Sequence, residues 1–261
     1  MLTHAAMIYF PAVIKMRFST DALVIKEKNI GENDRLVTLM TRDRGIIRAF
    51  ATGAKSIKSR RGSATVLLAY SNFYIDQKGD TYRITEASPI RVFFGAGSDI
   101  VKLSLSQYFC ELCGVLAPEN SESENFLRLI LNSLHFLSET DRSPLLIKAI
   151  TELRTAVLSG YMPDLVGCCE CGKFEDDVMY FDFTSGLLFC RDCGRGTGSA
   201  APVDRTVLSA MRHIVYSDFK SLYSFSIPQS SEKNLSDITE KYILAQTEHR
   251  FATLDFFNSF K

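Results

Sequence analysis

Four of the seven cysteines fall into two pairs, Cys168-x-x-Cys171 and Cys190-x-x-Cys193, separated by 18 residues. Each Cys-x-x-Cys aims two thiolates at one ion from a tight turn, and a tetrahedral zinc joins two such turns. Gly172 and Gly194, each directly after a pair, suit those turns. Four protein ligands leave no open position for water, so the expected cofactor is one structural zinc ion rather than a catalytic one. Ordinary buried cysteines or a redox dithiol are the alternatives, against which the paired spacing argues. Cys169 is adjacent to a ligand and is left as a spare thiol. Cys110-x-x-Cys113 lies within an apolar helical run, where a free cysteine packs as a small hydrophobe. His4, His135, His213 and His249 show no ligand spacing.

The second chemical signal is charge. Arg42, Arg44, Arg48, Lys55, Lys58, Arg60 and Arg61 face a single acid, Asp43, within twenty residues. The stretch from Thr52 to Ser63 has few large apolar residues and reads as a mobile basic loop, suited to following a phosphate backbone with release of counterions. Phe50, Phe73, Tyr74 and Tyr82 lie nearby and could stack on bases, although each taken singly is expected in the core. A merely solvated charged loop is the competing reading. No G-x-x-x-x-G-K-[ST] loop, dinucleotide fingerprint, Ser/His/Asp set or paired carboxylates can be identified, and no catalysis is expected.

Elements must position these groups. From Ser19 to Ala87, short β-branched runs at Ala22–Ile25, Leu36–Met40, Gly45–Phe50, Val66–Ile75 and Tyr82–Ala87 alternate with Gly/Asn/Asp turns, which predicts a barrel of about five antiparallel strands. After Gly97 the apolar spacing becomes helical. Ser143 and Pro144 read as the N-cap and first residue of a helix that Gly160 stops. Val178–Phe183 and Leu187–Phe189 read as a hairpin between the cysteine pairs, and helical patterns resume after Pro202.

The whole chain carries 30 basic and 30 acidic residues, yet 17–97 has a basic excess of six and 98–261 an acidic excess of seven. A polyanion surface on the N-terminal part is the implication. No run is long and apolar enough to span a bilayer. Residues 1–15 lack the basic start of a secretory signal, and Met16 could be the true start. The cysteines are therefore expected in a reducing cytoplasm.

Taken together, the residues resemble the bacterial RecO family of recombination and repair proteins. The resemblance rests on Thr20-Asp21-Ala22-Leu23-Val24-Ile25, Gly31-Glu32-Asn33-Asp34, Gly53-Ala54-Lys55 with Lys58-Ser59-Arg60, and Glu152-Leu153-Arg154 leading to Gly160-Tyr161-Met162-Pro163-Asp164-Leu165. Cys168-x-x-Cys171-Gly172, with Ser185-Gly186 before Cys190, belongs to the same pattern. Ser185 departs from it, standing where a second glycine is usual, and Phe251-Ala252-Thr253-Leu254 lacks the usual Lys-Ser.

The resemblance implies an α+β protein: an N-terminal OB-fold β-barrel followed by a mainly α-helical domain with an inserted four-cysteine zinc ribbon. On this chain that divides into an extension over 1–16, an OB-fold over 17–97 and a helical domain over 98–261, with the zinc insertion at 166–196. The implied function is DNA repair and homologous recombination: binding single- and double-stranded DNA, annealing complementary strands, and helping to load RecA together with RecR and single-strand-binding protein. The expected location is cytoplasmic and nucleoid-associated. A zinc-ribbon protein–protein adaptor and a thiol-disulfide oxidoreductase are the alternatives.

Overall fold

The computed structural model describes residues 15–56, 59, 61–93, 99–119, 121–194 and 200–260. Residues 1–14, Lys58, Arg60, the boundary at 97/98 and the end of the zinc insertion at 195–196 lie outside the described residues.

Strands β1 (Lys15–Ile30), β2 (Asp34–Thr41), β3 (Ile46–Ala51), β4 (Ala69–Lys78) and β5 (Thr81–Val92) close into a barrel in the order β1-β2-β3-β5-β4. All pairings are antiparallel except β3 with β5. A closed five-stranded barrel with this order is an OB-type barrel. Closure depends on β1, which is far longer than the apolar run Ala22–Ile25. Its first part pairs with β4 and its second with β2, with a bulge between Val24 and Lys26. A bulge increases local twist and lets one strand turn a barrel corner. Lys15 and Met16, assigned to the extension from sequence, pair with Lys78 and Gln77 as part of this strand.

The unbroken Ala22–Ile25 run follows from burial on both faces. Ala22 and Val24 join the barrel interior with Val37, Leu39, Phe73 and Ile84. Leu23 and Ile25 instead join the large core formed with the helices. The expected strand start at Val66 is replaced by a 3-10 turn (Ser63–Thr65) and a left-handed Leu68 (φ 64°). Leu68 still bonds the barrel, its N–H donating to Val24 O and its carbonyl accepting from Phe93 N.

The barrel is clamped to α1 (Ile100–Leu116) and α2 (Glu124–Glu139) by the β2–β3 hairpin. Ile46 N donates to Pro118 O (3.1 Å), Ser123 N to Arg42 O (2.9 Å) and Ser123 Oγ to Thr41 O (2.6 Å). Gly45 sits in the clamp at φ +62°, and a Cβ there would fall 2.0 Å from Pro118 O. Backbone conformation and close approach both demand glycine.

Helix α3 (Pro144–Leu158) starts as expected, with Ser143 Oγ accepting from Leu146 N and Pro144 in the first turn. It is the central helix of the helical region, buried from Leu146 to Ala156. Three charged side chains inside it are all partnered. Lys148 Nζ contacts Glu152 (2.8 Å), Glu240 (2.9 Å) and Ser236 O (3.3 Å). Tyr108 OH and Thr239 Oγ1 donate to Glu152 at 2.9 and 2.7 Å. Arg154 Nη1 donates to Ile214 O and Val215 O at the end of α4 (Arg205–Tyr216). The fold ends with α5 (Gln229–Thr247) and α6 (Ala252–Asn258).

Candidate nucleic-acid interface and metal site

The expected hairpin is present as β7 (Val178–Asp182) and β8 (Leu187–Cys190), but it is the centre of a four-stranded sheet. Strands β6 (Asp164–Cys168) and β9 (Ala200–Asp204), missed from sequence, flank it in the order β6-β8-β7-β9. Edge position explains how β9 tolerates Pro202.

This sheet brings the sulfurs of Cys168, Cys171, Cys190 and Cys193 within 4.8 Å of one another. The backbone turns are tight: Gly172 N donates to Cys168 O (2.8 Å) and Gly194 N to Cys190 O (2.7 Å). Zinc–thiolate bonds of about 2.3 Å in a tetrahedron require sulfurs about 3.8 Å apart. Cys171 Sγ and Cys190 Sγ stand 3.7 Å apart, so the cluster fits such an ion. Burial pushes the Cys168 thiol up, but hydrogen bonds from the backbone of Cys171, Cys190 and Glu170 outweigh it and bring it down to about 6. One thiolate of the cluster is thereby available at neutral pH, while hydrogen bonding within the cluster holds the Cys193 and Cys171 thiols up.

A second group, Asp176, Cys190 and Asp192, shares Cys190 with the first. The Asp176 carboxylate is already held by Lys173 Nζ (2.9 Å), and the four soft thiolates form the better site. Cys169 is exposed, beside the cluster but outside it. Cys110 and Cys113 are buried in α1, where desolvation pushes both thiols up, Cys113 to about 12, consistent with packing rather than ligation.

The bonds that hold the four-cysteine sheet in place have no signature in the sequence pattern. Arg212 on α4 donates through Nε to Leu165 O (2.7 Å) and through Nη2 to Val166 O (3.1 Å) and Phe174 O (2.8 Å). Its guanidinium also lies 4.1 Å from the centre of the Phe174 ring. Met179, Phe181, Leu188, Cys168 and Cys190 belong to the same core as the helices.

The basic segment, read as one unit from sequence, is divided by β3. Arg42 and Arg44 lie in the β2–β3 hairpin at one end, Lys55 and Arg61 beyond the other, and Arg48 between. Six strand residues separate the groups by about 20 Å. Arg42 pairs with Asp21 (3.2 Å), and Arg44 lies 3.9 Å from the centre of the Phe18 ring. Arg48 and Lys55 are exposed. Arg61 is half-buried, donating to Ile84 O (3.2 Å) and Thr85 O (3.4 Å). The described part of the expected mobile loop is a chain of hydrogen-bonded turns. Lys55 N donates to Asn33 O, Gly53 N to Asp34, and Gly62 N to Ser59 O.

Cross-strand register adds cations that the segment view missed. One outward row runs Lys28, Leu36, Phe50 and Arg83 across β1, β2, β3 and β5. The next runs Lys26, Thr38 and Arg48. The period-two alternation Lys26/Lys28 after Ile25 was the available signal. Arg35, also missed, braces the loop through Gly62 O (2.9 Å) and Thr65 Oγ1 (3.1 Å). Of the aromatics, Phe73 is in the core as expected, and Tyr82 is half-buried edge-on to Phe18. Phe50 and Tyr74 correct that expectation, being 40% and 46% exposed.

A basic OB-type barrel joined to helices and to a four-cysteine cluster that could hold a metal ion defines the class: an OB-type barrel protein with a surface suited to a polyanion. Family comparison then makes it specific. The model for "Recombination protein O N terminal" matches residues 16–93, and that for "Recombination protein O C terminal" matches 97–255. The chain is 33% identical over 237 residues to the DNA repair protein RecO of Acetivibrio thermocellus, covering 91% of this chain and 94% of that one. Identity is 29% over 240 residues with the RecO protein of a Thermoanaerobacter species, covering 92% and 96%. It is 25% over 247 residues with that of Symbiobacterium thermophilum, covering 94% and 98%. The chain belongs to the RecO family. Among the described residues, no helix is long and apolar enough to cross a membrane.

Proposed function

We propose that this RecO-family protein is a non-catalytic mediator that binds single- and double-stranded DNA, anneals complementary strands, and works with RecR and single-strand-binding protein to load RecA. The observation that carries the DNA part is the outward row Lys28, Leu36, Phe50 and Arg83, exposed at all but the half-buried Leu36, beside Lys26, Thr38 and Arg48 and flanked by basic groups at both ends of β3. Cations spaced along a strand neutralise phosphates, while an exposed aromatic ring offers a stacking face to any base. Reduced phosphate repulsion accelerates pairing of two strands without a chemical step. Arg42, Arg44, Arg48, Lys55, Lys58, Arg60 and Arg61 are the proposed DNA contacts, with Arg61 also holding the loop to β5.

Cys168, Cys171, Cys190 and Cys193 are the proposed ligands of one structural zinc ion. Bound metal would supply folding energy to the β6–β9 sheet and leave no open coordination position. The proposed location is the nucleoid-associated cytoplasm.

Annealing of complementary oligonucleotides by the purified protein, with and without single-strand-binding protein over a salt series, tests the reading. Acceleration that declines with salt is expected. Strands that anneal no faster with the protein than without it would overturn the proposal.

A further inference from the structure

A groove of about 480 Å³ lies where the outer face of the barrel meets α1. That volume is within the roughly 300–1,000 Å³ typical of small-ligand sites. Its apolar surface comes from Ile25, Ile46, Leu67 and Val115. Lys26, Thr38 and Arg48, one complete row of the basic face, also line it, so the groove is continuous with that face. Gly114 brings α1 close to the barrel at this point, since a Cβ there would lie 3.3 Å from Ile25 Cδ1.

The lining also carries polar groups of the opposite sign, Glu27, Glu111 and Glu119, with the Gln107 amide. Two of the carboxylates are held in place by backbone groups. Glu27 accepts from Leu67 N (3.1 Å), and Glu111 accepts from Thr253 N (3.0 Å) and Ala252 N (3.3 Å). Three carboxylates repel a phosphate or an acidic peptide, while Lys26 and Arg48 repel a basic one. A flat, neutral ring with amino donors and a phosphate attached outside satisfies both sets. Apolar walls take its faces, carboxylate or carboxamide oxygens accept from its edge, and the two cations take the adjoining phosphates.

We propose that this groove receives a single unstacked nucleobase from the strand bound on the barrel face. The inference rests on the proposed DNA-binding function and adds a base subsite to it. Holding a base out of the stack would present its neighbours in an open geometry for pairing.

The test uses the full chain and a single-stranded oligonucleotide carrying one 2-aminopurine, whose emission rises when the base is unstacked. Val115→Trp fills the groove from α1, where Val115 is 43% exposed. The wild type should raise the emission several-fold at saturation. Val115→Trp should abolish that rise and weaken affinity about fivefold, as expected when one base is no longer held. Its salt slope should stay at the wild-type value, because the phosphates are still bound.

Emission unchanged between wild type and variant would overturn the subsite while leaving DNA binding intact, as would a groove that takes a basic peptide instead. No binding by the wild type would overturn both readings. Gln107→Trp fills the same groove from another position on α1, off the basic rows, and decides the matter if Val115→Trp lowers the melting temperature.

Discussion

Arg61 shows how one side chain can be both a cation and a brace. Its guanidinium holds two carbonyls of β5, so Arg61→Ala should cost about 1–2 kcal/mol of stability and weaken DNA binding as well. Lys55, exposed and engaged among the described residues through its backbone, should affect DNA affinity alone. Thermal unfolding of the two variants separates the roles. Lys148 is the opposite case, a cation wholly out of solvent between two carboxylates. Burial raises the affinity of Glu152 for a proton, and Lys148 and Thr239 oppose that rise. Lys148→Ala would strand Glu152, and a loss of about 3–5 kcal/mol in unfolding free energy is expected from denaturant titration. The cysteines make a prediction by count. With metal bound, one thiol of the seven, Cys169, should react with a thiol reagent. Chelation should expose the four cluster thiols as well, and unfolding should release Cys110 and Cys113. A pair that reacts rapidly in the metal-bound protein would favour the oxidoreductase alternative.

At the scale of elements, the β2–β3 hairpin joins barrel to helices, and glycine is obligatory there. Gly45→Ala should destabilise by roughly 2–4 kcal/mol, from the left-handed conformation and the collision with Pro118 O. Chemical denaturation measures the loss. The strand runs of the barrel and the cap at Ser143-Pro144 were accessible from sequence because they depend on local chemistry. The Cys-x-x-Cys pairs were equally legible, because bringing four thiols to one point imposes spacing. Other features depend on residues distant in the chain. Strand β1 runs past its apolar stretch because its two halves serve different partners. Strands β6 and β9 carry weak patterns and form by pairing with β8 and β7. Phe50 and Tyr74 look like core residues by type, and only the register places them outside.

For the whole molecule, 17–97 carries a basic excess and 98–261 an acidic one, so on the proposed reading charge directs DNA to the barrel. The four-cysteine sheet shares its core with the helices, and Arg212 ties it to α4. Cys171→Ser should therefore lower zinc content and the melting temperature of the helical part, while leaving the charges of the DNA face unchanged. That the barrel's outer face holds phosphates is tested most directly by the salt dependence of single-strand affinity. The comparison is between wild type and a variant with Arg48, Lys55, Lys58 and Arg60 replaced by alanine, a set that spares the bracing Arg61. Weaker binding to every sequence is predicted, with an unchanged melting temperature and a log–log salt slope flattened by up to about 0.7 for each phosphate no longer neutralised. A folded variant that kept both its affinity and its slope would contradict a phosphate-binding role for this face.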